Sequence, residues 1–159
     1  MILNKLCTLV IDGGSCTNAV RLEFVKGLGI PTHTHPKPYR LHWLSNSGDL
    51  KVSKQAHIPL SIGRYRDVVL CDVVPMEAAH VLLGRPWQFD RYSQHDGRTN
   101  KYQLIHGDTT YKLKPLSPTE ILKDQLERKV SREKKERELK KREMREEKSE
   151  PSKEKGSKT

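Results

Sequence analysis

From Lys5 to Ile11 the chain reads "KLCTLVI", a short run dense in β-formers, and this pattern predicts a buried strand. The run ends on Asp12-Gly13-Gly14, a carboxylate placed where the backbone becomes most permissive. The period then changes. Val20, Phe24 and Leu28 fall at i, i+4 and i+8, which predicts a short amphipathic helix capped by Thr17 or Asn18 and ended by Gly29. Three prolines break "PTHTHPKP" into a loop. "YRLHWL" and "LKVSKQAHIPLSI" flank "SNSGD" and predict a long β-hairpin with its tip at Gly48. A turn at Gly63 leads to the strand "RDVVLCDVV". After "PMEAA" comes the short apolar run "HVLLG", stopped by Gly84. "RPWQFDRYSQHDGRTN" reads as irregular, and "KYQLIHGDTTYKLKPL" as a closing hairpin about Gly107-Asp108. Many short strands with one short helix predict a mainly β protein, a small closed β-barrel.

Ser117-Pro118-Thr119-Glu120 fits a capping box with proline in the first helical position. Ile121 or Leu122, Leu126 and Val130 give it an apolar stripe suited to docking. Glu133/Arg137, Glu136/Lys140 and Glu138/Arg142 then stand at i, i+4. The expected organisation is a globular part at 6–116, a charged helical extension at 117–148 and a disordered tail at 149–159.

Composition sharpens this division. Of the net charge of +10, residues 1–118 carry +6 and residues 119–159 carry +4. The basic residues are scattered rather than clustered with aromatics, which leaves weak, nonspecific contact with nucleic acid and argues against sequence reading. Cys7, Cys16 and Cys71 lack a CxxC spacing, so buried thiols in a reducing compartment are expected. His33 and His35 share a face if extended, yet no third ligand lies nearby, and neither a metal nor another cofactor is expected. No window has the apolar length of a membrane span, and the start of the chain does not read as a signal peptide. The expectation is a soluble intracellular protein. Asp72, next to Cys71 in "VVLCDVV", is expected on the opposite face as a solvated carboxylate, with a structural pairing as the lesser alternative.

A carboxylate at the end of a buried strand is costly to ionise unless hydrogen bonds hold it, and the glycines after Asp12 let N–H groups turn toward it. Two such carboxylates set close together share a proton. One then activates a water as base while the other polarises a carbonyl as acid. With a single Asp-Gly-Gly in the chain, such a pair needs two chains across a two-fold axis. Read alone, Asp12 is better taken as a turn carboxylate capping the helix at Asn18.

The segment from Cys7 to about Leu116 resembles the retropepsin family, specifically the aspartic protease domain of plant gypsy-type retrotransposon gag-pol polyproteins. "VIDGGSC", "NAVRLEFVKGLGIPT", "HPKPYRLHWLSNSGDLKVSKQ", "VVLCDVVPMEAAHVLLGRPWQFDR", "HDGRTNKY" and "LKPLSPTE" carry the resemblance. It implies a small closed barrel active only as a homodimer, with Asp12 as the catalytic acid of each subunit and Gly13, Gly14 and Ser15 supporting its loop. It further implies that Ser45, Asn46, Ser47, Gly48 and Asp49 form a flap over the substrate. Leu82, Leu83, Gly84 and Arg85 would then form the element beneath the catalytic loop. The implied substrate is an extended polypeptide bound by strand addition, within the cytoplasm or a virus-like particle.

Four features depart from the family pattern. Gly13 stands where a Ser or Thr hydroxyl usually braces the opposite loop. Cys16 and Thr17 occupy positions that often hold an acid to pair with the residue equivalent to Arg85. Pro86 replaces the usual Asp or Asn, and Met1 to Lys5 is shorter than the family's N-terminal strand. The alternative reading is a catalytically inactive, truncated remnant or a binding module.

Overall fold

In the computed structural model, residues 1–42, 49–77 and 79–147 are described, and the chain divides into two units, Met1–Lys114 and Pro115–Thr159. The first unit is built on strands β1 (Leu9–Ile11), β2 (Ala19–Arg21), β3 (His33–His42), β4 (Asp49–Ile62), β5 (Tyr65–Val74) and β6 (Val81–Leu83). They form one sheet in the order β1-β6-β2-β5-β4-β3. β1 runs parallel to β6, and β2 parallel to β5, while the other neighbours are antiparallel. β7 (Gln94–Asp96), β8 (Lys101–His106) and β9 (Thr109–Leu113) make a second, antiparallel sheet.

The closed β-barrel expected from the sequence does not form: neither sheet closes on itself. The six-stranded sheet ends on β1 at one edge and β3 at the other. β1 has only three residues, so it offers few backbone groups for closure. β3 contains Pro36 and Pro38, which have no N–H to donate, and its pairing with β4 is interrupted between Thr34 and Tyr39. The "PTHTHPKP" segment is therefore largely edge strand rather than loop. β1 is also not the interior strand its composition suggested, for Val10 is exposed.

The long β3–β4 hairpin forms as expected, although its tip at Gly48 lies outside the described residues. A turn at Gly63, with φ of 56°, joins β4 to β5, and Gly107, with φ of 61°, joins β8 to β9. Both positive angles suit glycine, which has no Cβ to clash. The first helix, α1 (Leu22–Leu28), ends at Gly29 as expected but begins later than its periodicity implied. Ala19–Arg21 is pulled into the sheet as β2, because pairing with both β5 and β6 outweighs one more helical turn. Val20 becomes sheet core, and neither Thr17 nor Asn18 caps the helix.

Arg85–Asp90, expected to be irregular, forms a short helix, α2, with Pro86 in its first turn. A polar latch binds it to β5. Trp87 Nε1 donates to the Tyr65 hydroxyl at 3.0 Å, and that hydroxyl donates to Asp67 Oδ2 at 2.5 Å. Just past α2, Arg91 holds the same carboxylate in a fork of 2.6 and 2.9 Å. Burial raises the Asp67 pKa, but the hydrogen bonds from Arg91 and Tyr65 outweigh it and leave the carboxyl below its ordinary range. Burial and the Asp67 contact push the Tyr65 phenol up to about 12, which keeps it a donor. The main apolar core gathers Val20, Ile58, Tyr65, Val81, Leu83 and Trp87, with Leu104 brought in from β8.

In the second unit, α3 spans Pro118–Glu147. The capping box forms reciprocally: Ser117 N donates to Glu120 Oε2 at 2.7 Å, and Glu120 N to Ser117 Oγ at 3.2 Å. Arg128 pairs with Asp124 one turn away. The stripe residues Ile121, Leu122, Leu126 and Val130 are exposed. Among the described residues, no helix is long and apolar enough to cross a membrane.

Candidate active site

The loop from Asp12 to Asn18 connects β1 to β2, and β6 lies between those two strands. This topology places the loop over the end of β6. Asp12 N donates to Leu83 O at 2.9 Å and extends the β1–β6 pairing by one residue. The chain then turns on itself. Gly14 N donates to Asp12 Oδ1 at 2.9 Å, and Ser15 N to Asp12 O at 3.2 Å. The Asp12 carboxylate is exposed, with one oxygen held by a backbone N–H.

Gly84 fixes how closely the loop approaches α2. A Cβ there would lie 2.2 Å from Thr17 O and 2.9 Å from Ser15 O, distances that only glycine allows. Arg85 N donates to Ser15 O at 2.9 Å, and Ser15 Oγ to Thr17 O at 2.8 Å. Asn18 is buried. Its Oδ1 accepts from Gly84 N at 3.0 Å and from Trp87 N at 3.3 Å, satisfying N–H groups at the start of α2. Asn18 thus caps α2, across the fold, rather than α1 next to it in sequence.

Gly13 is exposed and its surroundings are open. A Cβ built on it would come no closer than 3.6 Å to a neighbour, Gln88 Oε1 on α2. Gln88 Nε2 is buried with no hydrogen-bond partner among the described residues. Position 13 is therefore flanked by an amide.

Asp12, Gly13, Gly14 and Ser15 are thus gathered against Leu83, Gly84 and Arg85, while Leu82 lies half-buried in β6. The Arg85 side chain is exposed. Ser45, Asn46, Ser47 and Gly48 lie outside the described residues. Asp49 opens β4, paired across the hairpin with His42.

Asp72 departs most from expectation, being buried at 4% exposure rather than solvated. Val68 and Leu70, on the same face of β5 as Asp72, are exposed, so the run of apolar residues in "VVLCDVV" gave no signal of this burial; the partners that cover Asp72 come from other segments. Among the cysteines, Cys71 is buried in β5, but Cys16 is exposed on the loop. Burial, with the Asp72 charge adding to it, pushes the Cys71 thiol up to about 12. His33 stacks on His57 and His35 turns toward Asp72. Among the described residues, no group of three His, Cys, Asp or Glu side chains is arranged to hold a metal ion.

One carboxylate can act as a base toward water but cannot also serve as the matching acid, so chemistry at Asp12 calls for a second acid close by. No protein-family model and no curated protein matches this sequence.

Proposed function

We propose that the chain is a retropepsin-like aspartic endopeptidase, active as a homodimer in which two copies of Asp12 share a proton and activate a water. The observation that supports this reading is the Asp12–Asn18 loop. It presents an exposed carboxylate from the end of β1, with an N–H on one oxygen, and is clamped from below by β6 and Gly84. A solvent-accessible loop held by backbone hydrogen bonds in this way suits a carboxylate that must meet a twin across a two-fold axis. The residues at 45–49, at the end of the β3–β4 hairpin, would close over an extended polypeptide, and the substrate would be a retrotransposon polyprotein. Cleavage would take place in the cytoplasm or in an assembling virus-like particle.

The test is incubation of the purified protein with a peptide library at mildly acidic pH, with and without a statine-type transition-state mimic. Cleavage that the mimic blocks and Asp12→Asn abolishes is the expected result. The Asp12 carboxylate is exposed, so this substitution should change stability by no more than about 0.5 kcal/mol, and loss of activity will not reflect unfolding. No cleavage by a protein shown to be dimeric at the assay concentration would overturn the proposal and leave a binding module.

A further inference from the structure

Asp72 lies on β5 opposite Ala19 of β2, one residue past the loop that carries Asp12. Four side chains converge on its carboxylate. Thr17 Oγ1 donates to Oδ2 at 2.8 Å, and the Tyr39 hydroxyl to the same oxygen at 2.5 Å. Gln55 Nε2 donates to Oδ1 at 3.0 Å, and His35 Nε2 lies 3.2 Å from it. The backbone joins in, with Asp72 N donating to Asn18 O at 2.8 Å.

The hydrogen bonds also assign the His35 tautomer. Lys37 N donates to His35 Nδ1 at 2.9 Å, so Nδ1 is an acceptor and the proton sits on Nε2, facing Asp72. The Tyr39 phenol, pushed up to about 12 by burial and by Asp72, stays a donor. A buried carboxylate is thus satisfied by neutral donors from three separate places. His35 and Tyr39 belong to β3, which leads into residues 43–48. Gln55 belongs to β4, which leads out of them, and Thr17 belongs to the Asp12 loop.

We propose that Asp72 is a positioning residue whose carboxylate couples the β3–β4 hairpin to the Asp12 loop, so that ordering one orders the other. Its consequence for catalysis rests on the protease reading above; the coupling itself does not. A buried acceptor of this kind has discrete arrangements rather than a graded response, because each donor it loses leaves a lone pair unsatisfied in a place water reaches poorly.

The experiment compares Tyr39→Phe, Thr17→Val and the double variant in the full-length chain. Each single substitution removes one hydroxyl and no charge, so the fold is expected to survive. Amide hydrogen exchange at Ser15 and Arg85, two of the N–H groups that hold the loop, is the readout, with Ile105 on β8 as a reference bonded elsewhere. Tyr39→Phe should speed exchange at Ser15 and Arg85 by about fivefold with Ile105 unchanged, the effect of one lost buried hydrogen bond. The double variant should exceed either single change by much less than the product of the two, since both hydroxyls act through one oxygen. Unchanged loop amides, fully multiplicative effects, or equal acceleration at Ile105 would each overturn the coupling. Long-range nitrogen–proton spectra should place the His35 proton on Nε2, and a proton on Nδ1 alone would also overturn it. If the wild type cleaves peptides, Tyr39→Phe should lower kcat more than it raises KM. If the wild type cleaves nothing, the protease reading fails while the exchange data still decide the coupling.

Discussion

Replacing Gly84 by alanine adds one methyl group where three backbone atoms already stand. The new Cβ would lie 2.2 Å from Thr17 O, 2.8 Å from Thr17 C and 2.9 Å from Ser15 O. Ordinary contact begins near 3.4 Å, so the loop must move by about 1 Å, and no flexible side chain can absorb the shift. Overpacking of this kind costs about 1–3 kcal/mol. Moving the loop also lengthens Gly84 N to Asn18 Oδ1 and Arg85 N to Ser15 O, at about 1 kcal/mol each. The expected loss is about 4 kcal/mol, a large share of the stability of an ordinary domain. Urea unfolding followed by tryptophan fluorescence checks it. With a slope of about 2 kcal/mol per molar, the midpoint should fall by about 2 M. Gly27→Ala is the control: it lies in α1 with no atom beyond its chain neighbours and its own helix backbone within 4 Å of the new methyl, and should stabilise by up to about 1 kcal/mol. A Gly84→Ala midpoint within about 0.3 M of wild type would refute the claim that close backbone approach holds the Asp12 loop. If the loop is catalytic, the same variant should lose cleavage even where it remains folded.

Asp67→Asn should destabilise by about 2 kcal/mol at neutral pH, because it leaves the half-buried Arg91 guanidinium without its counter-charge and weakens a charge-assisted fork; thermal unfolding measures this. The folded-state pKa of Asp67 is lowered, so its contribution is present above the unfolded carboxyl value of about 3.9 and is lost as pH falls below it. The gap in melting temperature between wild type and Asp67→Asn should therefore narrow from pH 6 to pH 3, and a constant gap would contradict the assignment. Gly13→Ser should be accepted with a change of no more than about 1 kcal/mol, since its Cβ meets only Gln88 Oε1 at 3.6 Å. Under the protease reading it should also tighten the dimer in sedimentation, and a weaker dimer would count against the role assigned to that position. In thiol labelling at pH 8, read by peptide mapping, exposed Cys16 should react first, while Cys71, with its pKa pushed up to about 12, should react only on unfolding. Early modification of Cys71 would contradict its burial in β5.

Local chemistry determined what the sequence declared by itself. The turns at Gly63 and Gly107, the αL cap at Gly29 and the reciprocal Ser117–Glu120 box depend on residues adjacent in the chain, so their signatures are short and legible. The Asp12-Gly13-Gly14 turn was visible for the same reason. Tertiary structure alone decided the rest. Ala19–Arg21 carried a helical period but became a strand, because partners about 53 and 62 residues away offered it both edges of a sheet. Asn18 had the look of a local cap, yet it serves a helix that begins 67 residues later. Closure of the barrel was likewise a long-range question, left to edge strands whose prolines and short length withhold the necessary donors. The four donors around Asp72 come from segments that no sequence period links. A period reports which face of an element is apolar. What meets that face, and which buried charge must be satisfied there, depends on where the other segments pack.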